Sequence, residues 1–320
     1  MSFKDVVGHY AAVRILQSAV TEKRSGLSYL FYGPAGLGKS FVALQFAKSL
    51  NCRNHDDACD NCSSCRRAEK LEYPDLYWMD LDEGSDSIKI EQVREMQSAI
   101  TLKPFEGRVK VFVINNCQAL TEEAAHCLLK VVEEPPADSL IILIAEDARR
   151  LLPTIVSRCQ RIRFANLRKT EVKEILERRR RLDSASSRSL SSYSDGRIGE
   201  ALRLCENGFL AKKDSVISAF LRAGGRSGLE EVAGDKGQLK EALLIMAAWF
   251  RDLLLVKVKA PDEYLINQDR ILELKEQAKI YEQGQLFLAF KSLSESLEHL
   301  RQNINFRLVL DNVSVTIWKE

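Results

Sequence analysis

The chain has almost no net charge and no long apolar stretch. Its 47 lysines and arginines nearly balance its 45 acidic residues, which leaves a formal charge of +2 over 320 residues. This balance excludes a basic field over the whole chain that would attract nucleic acid, although one face could still be basic. No apolar run is long enough to span a bilayer, and the segment 1–5 has no secretory signal pattern. The sequence therefore predicts a cytoplasmic protein.

No export signal accompanies the eight cysteines of the chain. In a reducing compartment, clustered thiols indicate a metal site more often than disulfides. Four of them lie in a polar insertion, residues 51–67, which has too few apolar residues to fold alone: Cys52, Cys59, Cys62 and Cys65. This spacing predicts a structural, tetrahedral Zn²⁺ site, because four protein ligands leave no open position for water. The alternatives are four reduced surface cysteines, or His55 in place of one thiolate.

The remaining cysteines are scattered among apolar residues, and we expect them to be small core residues. They are Cys117, Cys127, Cys159 and Cys205.

One stretch fits the phosphate-binding pattern G-x-x-x-x-G-K-[ST] at every fixed position. It consists of Gly33, Pro34, Ala35, Gly36, Leu37, Gly38, Lys39 and Ser40. An apolar run precedes it and a helical pattern follows it, so free N–H groups at a helix start would face a phosphate. Lys39 would reach the phosphates and Ser40 would hold Mg²⁺, with ATP or ADP as the ligand. A glycine-rich turn that binds no ligand is the alternative.

Residues 1–165 alternate between apolar runs and helical patterns. Candidate strands are 29–32, 76–81, 110–115, 140–145 and 161–164. Crossovers of this length predict a parallel sheet covered on both faces, and with the phosphate loop they indicate an α/β P-loop NTPase domain.

The third strand of a hydrolytic NTPase ends in Asp-Glu, which supports Mg²⁺ and orients the attacking water. Here the run Val111–Ile114 ends in Asn115 and Asn116. Neither amide carries negative charge or accepts a proton as a carboxylate does. The sequence therefore predicts that nucleotide binds and is not hydrolysed.

The rest of the chain is helical in pattern. Residues 166–208 contain the basic run 178–181 and the serine-rich run 184–194. By itself the basic run could be a solvated face or a phosphate-binding patch, and the serine-rich run could be a flexible linker. Residues 209–320 carry long amphipathic stretches that predict an all-helical domain, with or without a partner.

Several motifs together resemble one family. They are Val6-Val7-Gly8-His9, the phosphate loop, the four-cysteine insertion, the segment 125–136 (AHCLLKVVEEPP) and Ser157-Arg158-Cys159. With these motifs the chain resembles the clamp-loader subunits of bacterial DNA polymerase III, which are AAA+ proteins. The resemblance implies that 166–208 is a helical lid domain and 209–320 a collar domain that joins five subunits. It also implies that Arg158 is an arginine finger, which stabilises charge on the phosphoryl group in the ATP site of the adjacent subunit.

Within that family, three differences favour the stator class, delta-prime, over the gamma/tau motor class. The motors have Asp-Glu at Asn115-Asn116, a threonine sensor near Ala145-Glu146, and an arginine sensor at the position of Gly199. The segments 249–254 and 303–308 also look like delta-prime. The resemblance implies gamma/tau and delta subunits as partners, and contact with the sliding clamp and primed DNA through the complex. The alternatives are a DNA-stimulated ATPase motor of the gamma type and a zinc-containing interaction module unconnected with replication.

Overall fold

The computed structural model describes residues 2–54, 57–82, 84–223, 234–301, 307, 308 and 312. His55 and most of the segment 303–308 lie outside these residues. The chain forms two compact units, Met1–Glu171 with Gly196–Gly199, and Val172–Asp195 with Glu200–Glu320. The division of the chain into domains at 1–165, 166–208 and 209–320 stays a prediction.

The first unit is built on a five-stranded parallel sheet, as the sequence predicts. The strands are β1 (Leu27–Tyr32), β2 (Leu76–Met79), β3 (Lys110–Ile114), β4 (Ser139–Ala145) and β5 (Gln160–Arg163). Their order across the sheet is β2-β3-β4-β1-β5. Since all neighbouring pairs are parallel, the carboxyl ends of the strands share one edge. In open sheets of this kind, ligands bind beyond that edge.

Helices cover both faces of the sheet. They are α1 (Tyr10–Thr21), α2 (Lys39–Leu50), α3 (Ser63–Glu69), α4 (Ile90–Ile100), α5 (Glu122–Glu133) and α6 (Pro153–Arg158). Alternate residues of β1 enter two separate apolar clusters: Tyr29 and Phe31 pack on one face, and Leu30 packs on the other. Every residue of β4 is buried. A strand with both faces covered needs apolar side chains in succession, which explains the apolar run 140–145 within β4.

Seven α-helices make up most of the described chain after β5. They are α7 (Lys169–Arg180), α8 (Ser184–Tyr193), α9 (Ile198–Glu206), α10 (Phe209–Ala223), α11 (Lys236–Lys257), α12 (Ile271–Ile280) and α13 (Gln283–Arg301). The serine-rich run is a helix, with Asp183 accepting hydrogen bonds from the first-turn N–H groups of Ala185 and Ser186. The second unit has no strand among its described residues, in agreement with the predicted helical domain.

A buried carboxylate helps to fix the interior of the second unit. On α11 the Asp252 carboxylate is fully buried and accepts the N–H groups of Ile266 at 2.9 Å and Asn267 at 2.7 Å. Burial raises the pKa of Asp252, while these hydrogen bonds act in the opposite direction.

None of the helices in the described part of the chain combines the length and apolar character needed to cross a membrane.

Truncation of a central core residue tests this architecture. Leu143 on β4 is fully buried, so Leu143→Ala should lower the free energy of unfolding by about 2–5 kcal/mol, since it removes apolar contacts and leaves a cavity. Urea unfolding followed by circular dichroism measures the effect. Leu102, which is 65% exposed, provides the control Leu102→Ala. Equal stability of the two variants would contradict the placement of Leu143.

Candidate nucleotide and metal sites

The phosphate loop connects the carboxyl end of β1 to the start of α2. Gly33 has φ of 145°, and a Cβ atom there would lie 2.2 Å from the Phe164 carbonyl oxygen, so only glycine fits. Gly38 has φ of 83° and is the N-cap of α2. The backbone therefore turns directly into the helix, whose first N–H groups have no partner within the helix and face the loop.

Lys39 lies inside the loop. Its side chain is buried, and Nζ donates to the carbonyl oxygens of Gly33 at 2.5 Å and Pro34 at 2.7 Å. Burial lowers the pKa of Lys39. The ammonium group is thus held at the centre of the backbone turn, where a phosphate-binding lysine is expected.

A chain of side-chain hydrogen bonds begins at Ser40. Ser40 Oγ donates to Asn115 Oδ1 at 3.1 Å, and Asn115 Nδ2 donates to Asp80 Oδ2 at 2.7 Å. The other Asp80 oxygen accepts Asn116 Nδ2 at 2.8 Å. The two amides that replace Asp-Glu therefore both bind one carboxylate, which lies beyond the end of the neighbouring strand β2.

The sequence alone does not single out Asp80. It follows Met79 directly, and Met79 is paired with Ile114 in the sheet, so Asp80 is brought beside Asn115. The available signal was a carboxylate at the carboxyl end of a predicted strand, but using it requires knowledge that β2 and β3 are neighbours.

Gly199 lies against the phosphate loop. Its N–H donates to the Gly36 carbonyl oxygen at 2.7 Å. A Cβ atom at Gly199 would be 3.0 Å from Gly36 Cα and 3.2 Å from its oxygen. At the position where the resemblance leads one to expect a sensor arginine, the chain thus has a backbone contact with little room for a side chain.

His9 contacts the same loop from the N-terminal side. Its Nε2 lies 3.0 Å from the Leu37 carbonyl oxygen, and its ring lies 4.7 Å from the ring of Phe164. Burial lowers the pKa of His9, although the hydrogen bond to Leu37 acts in the opposite direction. The imidazole is therefore largely neutral near pH 7, and it supports the loop without adding charge.

Arg158 is the last residue of α6, and its side chain contacts Glu133 and Thr154. Its guanidinium lies 2.7 Å from Glu133 Oε1 and donates to the Thr154 carbonyl oxygen at 3.1 Å. The side chain is 35% exposed. The neighbouring Cys159 is buried, and burial raises the pKa of its thiol to about 12.

The four clustered cysteines come together at the end of α2 and the start of α3. The sulfur atoms of Cys52, Cys59, Cys62 and Cys65 all lie within 4.8 Å of one another. Cys59 Sγ accepts the N–H of Cys62, and Cys62 Sγ accepts the N–H of Cys65, each at 3.4 Å. Four sulfur ligands at this separation form a group that could hold a metal ion, and Zn²⁺ is the ion that prefers four thiolates.

The pKa values of two neighbouring thiols in this group shift in opposite directions. Burial raises the pKa of Cys62, but the hydrogen bonds from Ser64 and from the N–H groups of Arg53 and Cys65 outweigh burial and lower it. Burial and the hydrogen bond to Cys62 raise the pKa of Cys65. Binding of a metal ion by all four thiolates would therefore release protons.

Ion pairs connect the cysteine insertion to the rest of the unit. The buried Lys48 of α2 pairs with Asp60 and, at 2.6 Å, with Glu69. Arg67 lies 2.5 Å from Glu106, which belongs to the loop before β3. The insertion is therefore attached on two sides.

Of the other four cysteines, Cys117 and Cys159 are buried in the core as expected. Cys127 and Cys205 are only partly buried. Cys127 Sγ donates to Gln97 Oε1 at 3.1 Å, so this thiol lies at the edge of the core.

Comparison with known proteins gives consistent family matches. Residues 8–168 match the family described as DNA polymerase III, delta subunit. Residues 210–315 match the family described as DNA polymerase III, delta subunit, C terminal.

Two curated relatives from Bacillus subtilis (strain 168) illustrate the difference between subunit classes. The chain is 28% identical to DNA polymerase III subunit delta' over 316 residues, which covers 94% of this chain and 93% of that protein. It is 29% identical to subunit tau over 211 residues, covering 64% of this chain and 37% of that protein.

Among solved structures, a DNA polymerase III gamma-subunit-related protein from Thermotoga maritima matches 94% of this chain and 97% of its own. The sequence identity is 20% and the TM-score is 0.43.

The predicted membership in this family is confirmed by the family matches: the chain belongs to the delta-subunit family of DNA polymerase III and is delta-prime-like over nearly its whole length.

Proposed function

We propose that this chain is the stator subunit of a DNA polymerase III clamp loader. In this role it holds a nucleotide without hydrolysing it and presents Arg158 to a neighbouring motor subunit. The observation that carries the proposal is the pairing of Asn115 and Asn116 with Asp80 beside an intact phosphate loop. The site has the parts that bind a phosphate and lacks the carboxylates on β3 that drive hydrolysis.

Nucleotide binding is supported by the loop itself. Gly33 and Gly38 have the conformations that the turn requires, and Lys39 is buried within it. Ser40 would supply its hydroxyl oxygen to Mg²⁺, and the first N–H groups of α2 would hold the phosphates of ATP or ADP.

Absence of hydrolysis follows from the same residues. A water that attacks the terminal phosphate needs a carboxylate or an equivalent group to orient it and accept its proton. The amides of Asn115 and Asn116 cannot accept that proton. Asp80 is a carboxylate, but both of its oxygens already accept amide N–H groups.

Arg158 would act in trans on the nucleotide of a motor subunit. In the isolated chain it pairs with Glu133 at a partly exposed position, where such a pair contributes only about 0.2–1 kcal/mol. The guanidinium can therefore exchange Glu133 for the phosphates of a neighbour at little cost. The proposed neighbours are gamma/tau and delta subunits in a pentameric loader, which acts on the sliding clamp and primed DNA.

The cysteine insertion would hold a structural Zn²⁺ ion through Cys52, Cys59, Cys62 and Cys65. Four sulfur ligands leave no position for a substrate or water. The ion would replace the apolar core that the insertion lacks.

A second candidate is a DNA-stimulated ATPase motor of the gamma type. The intact phosphate loop favours it, and so does the partial similarity to subunit tau. Asn115, Asn116 and Gly199 oppose it, because each lacks the group that a motor uses at that position. ATP consumption by the purified chain that rises when primed DNA is added would support this candidate.

Replacement of the proposed finger tests the role in trans. In a loader reconstituted with gamma/tau and delta, Arg158→Ala should slow ATP turnover at the site facing this chain by about a thousandfold, since it removes the transition-state cation. Pre-steady-state phosphate release measures that site. Arg149→Ala removes an exposed arginine that pairs with Asp147 and is the control. Unchanged release from the Arg158→Ala loader would refute the finger assignment.

Replacement of the loop lysine tests nucleotide binding. Lys39→Ala should weaken the binding of a fluorescent ADP analogue by about tenfold to a hundredfold, as expected for lost hydrogen bonds to a charged group. Lys70→Ala, which removes an exposed lysine at the end of α3, is the control. Equal affinities of both variants and the wild-type chain would show that the loop does not hold the ligand.

Metal analysis tests the zinc site. Protein purified without chelator should contain about one Zn²⁺ per chain. Its removal should lower the melting temperature, because metal binding and folding of the insertion are coupled. Cys62→Ser should reproduce the loss, whereas the core variant Cys159→Ser should retain the metal. Metal-free wild-type protein with an unchanged melting temperature would contradict the assignment.

A further inference from the structure

We infer that Asp80 is a positioning residue for a Mg²⁺-bound nucleotide at the phosphate loop, acting through Asn115 on the hydroxyl of Ser40. The inference rests on the proposed function, because it concerns the nucleotide that the loop would hold. It adds a residue just after β2 that no motif includes. Asp80, Asn115 and Ser40 form a continuous chain of hydrogen bonds.

The first step concerns which way the Asn115 amide faces. An ionised carboxylate accepts hydrogen bonds and donates none, so the atom of Asn115 that lies 2.7 Å from Asp80 is the Nδ2 donor. The oxygen Oδ1 must then face the opposite way, and it lies 3.1 Å from Ser40 Oγ. Asp80 therefore determines the orientation of Asn115.

The second step concerns the hydroxyl of Ser40. A serine hydroxyl has one hydrogen and two lone pairs. Because Asn115 presents an oxygen, the hydroxyl hydrogen is directed to Asn115, and both lone pairs remain available to a cation. If the amide were reversed, an N–H group would occupy one of these lone pairs and place positive charge beside the cation. The observed orientation is the one compatible with Mg²⁺.

The third step concerns Asp80 itself. Asn116 donates to its other oxygen at 2.8 Å, so the carboxylate is held between the two amides that follow β3. Groups that orient metal ligands in this way typically contribute about tenfold to a hundredfold to metal affinity. Asp80 thus supplies a negative charge and a fixed orientation from β2, where β3 has only neutral amides.

The experiment compares nucleotide affinity with and without Mg²⁺. Binding of a fluorescent ADP analogue to the full chain is titrated in excess Mg²⁺ and again in EDTA. Asp80→Ala should weaken binding about tenfold in Mg²⁺ and leave binding in EDTA unchanged, because the effect passes through a metal ligand. Asp82→Ala removes a nearby exposed carboxylate that contacts Gln92 and should leave both affinities unchanged.

A rescue variant separates positioning from a general structural role. In the double variant Asp80→Ala with Asn115→Asp, residue 115 is a carboxylate, and either of its oxygens accepts from Ser40. We expect the affinity in Mg²⁺ to return to at least within about threefold of the wild-type value, because residue 115 then presents an oxygen to Ser40 in either orientation and supplies the negative charge that Asp80 gave. Asp80→Asn, which retains the side-chain volume, gives a smaller loss of the same kind and serves if the alanine variant does not fold.

Three outcomes would overturn the inference. Equal losses in Mg²⁺ and in EDTA would assign Asp80 a structural role only. A wild-type affinity that is the same in Mg²⁺ and in EDTA would remove the metal from the site while leaving nucleotide binding intact. Failure of the wild-type chain to bind the analogue at all would overturn both this inference and the proposed nucleotide-holding function.

Discussion

The chemistry of this site depends on one interaction: the Asp80 carboxylate accepts the amide N–H groups of Asn115 and Asn116. It places negative charge just after β2 and neutral amides just after β3, whereas a hydrolytic site has its carboxylates after β3. Both carboxylate oxygens accept amide N–H groups, so the charge holds the two amides in place. The phosphate loop next to it is complete. Together these features support the proposal that the pocket binds a nucleotide and leaves it intact.

The fold makes this arrangement possible. Parallel strands bring their carboxyl ends to one edge, where the phosphate loop after β1, Asp80 after β2 and Asn115 after β3 meet. The loop is further held by His9 on one side and by Gly199 on the other. These are backbone and neutral contacts, so they fix the shape of the loop without competing for a phosphate. The cysteine insertion follows α2 directly, and its Asp60 pairs with Lys48 of that helix.

Much of the first unit could be predicted from the sequence because the signals are local. The phosphate loop and the five strands are encoded in short segments, and the predicted strands agree with the observed ones to within a few residues. The four cysteines lie within one short insertion, and their sulfur atoms do come together. The motifs that carry the family resemblance are equally local, and the family matches agree with them.

What the sequence did not reveal depends on contacts between distant residues. Asp80 and Asn115 are far apart in the chain and meet because β2 pairs with β3, an adjacency that periodicity does not encode. Gly199 and Gly36 are also far apart in the chain. The sequence alone indicates only that the sensor arginine is missing at position 199. The serine-rich run 184–194 resembled a linker by composition. It is a helix because Asp183 caps its first turn and several of its serines are buried.

The most direct test of the central claim is the fate of a single bound ATP molecule. Purified chain is mixed with a substoichiometric amount of radiolabelled ATP and Mg²⁺, re-isolated after several hours, and the bound nucleotide is separated by chromatography. The account predicts that the label is recovered on the protein as intact ATP. Recovery as ADP and free phosphate, with a rate that is lost in Lys39→Ala, would contradict it.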